Sequence, residues 1–61
     1  MPSTDITGLL TVPAVADYLA VHDQTVRKLI RRGDLLATRI GTRVLIDPRD
    51  LADFIERHRG P

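Results

Sequence analysis

The chain has 61 residues, no cysteine, 43% hydrophobic and 28% charged residues, and a net charge of +1. That length suits one small domain, burying about 60% of its unfolded surface, and leaves little room for an enzyme's water-excluding pocket. Disulfides and thiolate metal sites are excluded, the separated His22 and His58 argue against zinc, and no apolar run suits a membrane helix or a signal peptide. The expectation is a cytoplasmic globular protein with no cofactor, no metal and no membrane partner.

The charge is unevenly spread. Residues 1–21 carry two acids and no Lys or Arg. Residues 22–46 carry six basic residues against two acids, and residues 47–61 carry three arginines against four acids. Arg outnumbers Lys eight to one. Arginine forks onto phosphates and guanine edges, so the middle of the chain is where an anionic partner would bind.

Residues 1–8 are polar and read as a flexible N-terminal arm, ahead of a single domain over residues 9–59. The first helix is predicted to start at Thr11, a good N-cap, with Pro13 tolerated in its first turn. Val12, Val15, Ala16 and Leu19 then share one face. Asp17 and Tyr18 point away, with Tyr18 expected to be half-buried.

Ala20, Val21 and His22 read as a tight turn. His22 or Asp23 should cap a second helix running to about Arg32. Its apolar stripe is Val26, Leu29 and Ile30. Gln24, Arg27, Lys28 and Arg31 fall on the opposite face, within an arc of roughly 100°. Gly33 is placed to end the helix in the left-handed conformation.

Residues 36–40 and 43–46 are predicted strands. Gly41-Thr42 between them suits a type II′ turn that pairs Ile40 with Arg43. Alternation leaves open which strand face is buried, because apolar and basic residues occur on both. The stem of Arg39 is expected to cover the core. Asp47-Pro48-Arg49-Asp50 is a helix start, with Asp as cap and Pro in the first position. Leu51, Phe54 and Ile55 make the buried stripe of a third helix, with His58 either part of that stripe or a frayed-end residue. Arg49, Arg57 and Arg59 should neutralise nearby acids. The predicted order is helix, turn, helix, hairpin, helix.

Two helices joined by a tight turn, the second with one apolar and one basic face, form a helix-turn-helix pattern. The hairpin adds a wing. The predicted fold is therefore mainly α with a β-hairpin, a winged helix-turn-helix. Its second helix could lie in the major groove of double-stranded DNA, about 12 Å wide. Gln24 would reach an adenine edge, Arg27 and Arg31 guanine or phosphate, and Lys28 and Arg32 phosphates. Thr25 is a first-turn residue suited to a base or a phosphate. Arg43 at the wing tip suits the minor groove. The same charges would also fit a solvated helix face, and Arg32 could instead pair with Asp34.

The run Leu10-Thr11-Val12 to Leu19 and the run Val21 to Leu35 resemble the excisionase family, small MerR-like winged helix-turn-helix proteins. The most specific parts are Thr25-Val26, then Leu29 through Leu35, and the Arg39-Ile40-Gly41 hairpin entry. The resemblance covers residues 9–57. It departs from the family pattern at His22, where a Ser-type cap is usual, at Arg27, where an aromatic is common, and at Thr42 and Val44, where the wing often carries a basic residue and an aromatic.

The resemblance implies that Gln24, Thr25, Arg27, Lys28 and Arg31 lie on a recognition helix and Thr42 and Arg43 on the wing. It implies a recombination directionality factor that binds repeated attachment sites, self-associates head to tail on DNA, bends it and biases an integrase towards excision. The absence of a sensor domain and of a long dimerisation helix fits an architectural role of this kind. A small transcriptional regulator of the same fold is the first alternative. An antitoxin-like or adaptor module that binds protein through the basic face is the second. No acid–base or nucleophile constellation suggests catalysis.

Overall fold

The computed structural model describes residues 8–59, so the arm expected over residues 1–8 lies outside the described residues except for Gly8. Strand β1 (Leu10–Thr11) leads directly into helix α1 (Val12–Leu19). Helix α2 (Asp23–Arg31), strands β2 (Thr38–Ile40) and β3 (Arg43–Ile46), and helix α3 (Pro48–Arg57) follow. The three expected helices and the hairpin are present. Strand β1 is an addition to the expected order.

Thr11 caps α1: its side-chain oxygen accepts the Ala14 N–H at 3.2 Å, satisfying one of the unpaired donors of the first turn. Val12, Val15 and Ala16 are buried and Leu19 packs against them, as the spacing predicts. Tyr18 is 72% exposed, more than the expected half, at the rim of an apolar hollow lined by Leu10, Leu51 and Ile55.

The turn after α1 depends on Ala20, which adopts the left-handed conformation at φ 60°. Its N–H donates to the Asp17 carbonyl at 3.2 Å, and the Val21 N–H donates to the Ala16 carbonyl at 2.9 Å. This bond pair closes a helix end within two residues. His22 holds the cap position of α2 in an extended conformation, but its ring makes no capping bond. The first turn relies on Asp23, whose charge complements the helix dipole.

Gly33, at φ 81°, ends α2 as predicted. The Asp34 N–H returns to the Leu29 carbonyl at 2.9 Å. The Leu35 N–H donates to the same carbonyl at 3.2 Å, and its side chain enters the core. The chain is therefore still tied to α2 at Leu35, and β2 begins at Thr38 instead of at Leu36. Leu36 is left exposed.

The hairpin register pairs Ile40 with Arg43, as predicted. Gly41 has φ 62° while Thr42 does not have a positive φ, which fits a type II′ turn. The sheet order is β1-β3-β2, antiparallel throughout. Strand β3 is central, with Leu10 opposite Ile46 and Thr11 opposite Leu45 on one side. Leu45 and Ile46 are both buried although alternation sends them to opposite faces, and only Ile46 belongs to the main core cluster. Ile46 joins the core formed by Val15, Val26, Leu35, Leu51 and Phe54.

Asp47 caps α3 by accepting the Arg49 N–H at 2.8 Å. Leu51 and Phe54 are buried and Ile55 packs against the core. His58 is exposed overall, yet its Nδ1 lies 2.9 Å from the Phe54 carbonyl oxygen and its ring centroid 4.2 Å from that of Phe54. Arg57 donates to the Asp34 carbonyl at 2.9 Å and so ties the end of α3 to the end of α2.

Candidate nucleic-acid interface

Helix α2 is fixed from below by Val26, which is fully buried, and by Leu29 and Ile30. That anchoring turns the opposite face outward. Gln24, Thr25, Arg27, Lys28 and Arg31 are exposed and together line one shallow surface hollow. Arg32 lies apart from them, just past the helix, with Nε 3.5 Å from the Asp34 carboxylate. Thr42 and Arg43 are exposed at the hairpin tip.

The pattern of ion pairs separates the basic residues into two groups. Arg32, Arg49, Arg57 and Arg59 each pair with a carboxylate: Asp34, Asp47, Asp53 and Glu56 respectively. Arg27, Lys28, Arg31, Arg39 and Arg43 form no ion pair among the described residues. All five lie on α2 or the hairpin. Asp23 stands four residues before Arg27, a spacing that permits a pair on a helix, and none forms. Unpaired guanidinium groups on a convex helix and a narrow ribbon are a surface that attracts polyanions and forks onto phosphate or guanine.

Arg39, whose stem is expected from the sequence to cover the core, lies beside this surface instead. It is exposed, and it lines a second hollow, between α2 and the hairpin, with Arg27, Ile30, Arg31 and Val44. The signal was available in the register. If Ile40 pairs with Arg43, then Arg39 pairs with Val44 and faces away from Arg43.

One carboxylate is strongly held, and it is structural. The Arg49 guanidinium and backbone N–H both donate to Asp47, which keeps its pKa below the ordinary carboxylate range and raises that of Arg49. Among the described residues no group of three His, Cys, Asp or Glu side chains could hold a metal ion. No described helix is long and apolar enough to cross a membrane.

A family model described as a helix-turn-helix domain matches residues 9–59. The chain belongs to this helix-turn-helix domain family. No curated protein and no solved structure matches it. As a helix-turn-helix protein it binds DNA, and double-stranded DNA is the partner the domain supports. In the vocabulary of the fold, α1 and α2 are the helix-turn-helix pair, closed by the left-handed Ala20, and the β2–β3 hairpin is the wing.

Proposed function

We propose that this protein is a sequence-specific double-stranded DNA-binding excisionase, which binds attachment-site DNA, bends it and directs an integrase towards excision. The observation that carries the DNA-contacting face is that, among the described residues, the Lys and Arg side chains without an ion pair are confined to α2 and the wing. The excisionase role is supported by the resemblance in the Thr25–Leu35 stretch and in Arg39-Ile40-Gly41.

In this reading α2 lies in the major groove. Gln24, near its N-terminus, pairs with an adenine edge, and Arg27 and Arg31 take guanine edges or the phosphates beside them. Thr25 and Lys28 contact the backbone, and Arg32 divides its charge between Asp34 and a phosphate. Thr42 and Arg43 carry the wing tip to the minor groove. A single module of this kind buries about 600–1,000 Å² on DNA, so selectivity rises when copies bind side by side, head to tail, and next to an integrase.

Fluorescence anisotropy against a randomised duplex pool and against the DNA flanking the gene, across a salt series, tests the reading. Binding should be tight, salt-sensitive and selective for the flanking DNA, and should steepen with protein concentration. An excision assay with the neighbouring integrase should then depend on the protein. Selective binding that represses a promoter without stimulating excision would make the protein a small transcriptional regulator. Weak binding without preference would overturn the base-reading role of α2 and turn its basic face towards acidic protein partners, as an adaptor or antitoxin-like module would use it.

A further inference from the structure

Neighbouring major and minor grooves of a duplex are separated by one sugar-phosphate strand. A protein with a helix in one groove and a hairpin in the next straddles that strand. The strand must therefore cross the cleft between α2 and the wing. Here that cleft is lined by Arg27, Ile30, Arg31, Arg39 and Val44, with three guanidinium groups and no acid.

Register sets the direction of Arg39. It stands opposite Val44, which packs against the core, while Ile40 stands opposite Arg43. Successive residues in a strand point to opposite faces, so the two wing arginines serve opposite sides of the hairpin. Arg43 faces outward near the tip. Arg39 faces the cleft, on the side of α2.

We propose that this cleft is a phosphodiester-binding site in which Arg39 grips the backbone strand that passes between helix and wing, bordered from the helix side by Arg27 and Arg31. The proposal rests on the reading of α2 and the wing as the duplex interface. Arginine suits the task because its planar fork matches two phosphate oxygens. Ile30 and Val44 give the site an apolar wall, beside which a charge pair is screened less than in open water. A phosphate held from both sides also fixes the wing relative to α2. Affinity from this contact is independent of sequence, because every nucleotide carries the same phosphate.

The test neutralises phosphates singly. A duplex of about two helical turns, roughly 21 base pairs, is selected by the full chain from a randomised pool. It is then made with one methylphosphonate at each backbone position in turn. Binding is measured by anisotropy across a salt series for the wild type, Arg39→Ala and Arg43→Ala. Arg39→Ala should weaken selected and unselected duplexes alike by about tenfold, the size of one charge-assisted contact, and lower the salt slope by about one unit. One methylphosphonate, between the major-groove and minor-groove footprints, should weaken the wild type and Arg43→Ala by about tenfold and Arg39→Ala by clearly less, since only Arg27 and Arg31 then remain beside that phosphate. If Arg39→Ala keeps the wild-type salt slope and the wild-type penalty at every phosphate, Arg39 holds no phosphate and the proposal is wrong. If the wild type itself shows no preference for duplex DNA, the interface reading falls and this site falls with it, a failure visible before any substitution is made.

Discussion

Helices α2 and α3 are both short and amphipathic, and both carry arginines, yet their charges behave differently. In and just beyond α3, Arg49, Arg57 and Arg59 each have a carboxylate within 3.3 Å, supplied by the cap or by an acid three or four residues earlier. Within α2, Arg27, Lys28 and Arg31 share one acid, Asp23, and do not pair with it, while just beyond the helix Asp34 is taken by Arg32. The number of cations does not distinguish the two helices. The supply of acids at helical spacing does. A surface whose cations sit beside carboxylates is closer to neutral and attracts a duplex less, whereas one with unpaired cations gains by releasing counterions from it.

The sharpest way to break this comparison is to remove two arginines from each helix region. Arg27→Ala with Arg31→Ala should lower duplex affinity by about a hundredfold with the melting temperature nearly unchanged. Arg57→Ala with Arg59→Ala should leave duplex affinity unchanged and cost about 1–2 kcal/mol of stability, from two exposed pairs and the Arg57 bond to the Asp34 carbonyl. Anisotropy and thermal denaturation together read both arms. Equal affinity losses in the two double variants would show that net charge, and not pairing, sets the interface.

A second variant makes α2 resemble α3. Gln24→Glu places an acid three residues before Arg27 and four before Lys28, and adds a negative charge to the first helical turn. Affinity for the selected duplex should fall about tenfold, while stability rises by about 0.3–0.5 kcal/mol. The opposite signs separate an interface effect from a folding effect.

The ends of α1 and α2 offer a smaller contrast. Both close through a left-handed residue, Ala20 in one and Gly33 in the other. Alanine is strained there and glycine is not, so Ala20→Gly should raise stability by about 0.5–1 kcal/mol in chemical denaturation. Destabilisation would mean that the chain entropy of glycine outweighs the relief.

The smallest effect concerns pH. The depressed pKa of Asp47 means that its cap contributes stability above the ordinary carboxylate range and loses it as pH falls through the lower folded value. Asp47→Ala should therefore melt below the wild type at neutral pH, and the two curves should converge below about pH 4. A gap that persists in strong acid would show that the cap acts through something other than its charge.

Much of this protein was legible in the chain because the signals are local. Thr11 and Asp47 as caps, Gly33 as a terminator, the Val26-Leu29-Ile30 stripe and the Gly41-Thr42 turn each act within a few residues, and each appears in the structure. The outward face of α2 followed from its stripe, since burying Val26 leaves Arg27, Lys28 and Arg31 no other direction. Tertiary structure decided the rest. Strand β1 exists only because Leu10 and Thr11 meet Ile46 and Leu45, which lie more than thirty residues away. A two-residue strand has no periodicity of its own to announce it. In β3 the adjacent Leu45 and Ile46 are both buried on opposite faces, which is why alternation within the hairpin could not tell inside from outside. Arg39 lies beside Arg27 and Arg31 for the same reason: its place is set by which face of the hairpin is turned towards α2, and that is a property of the assembled core.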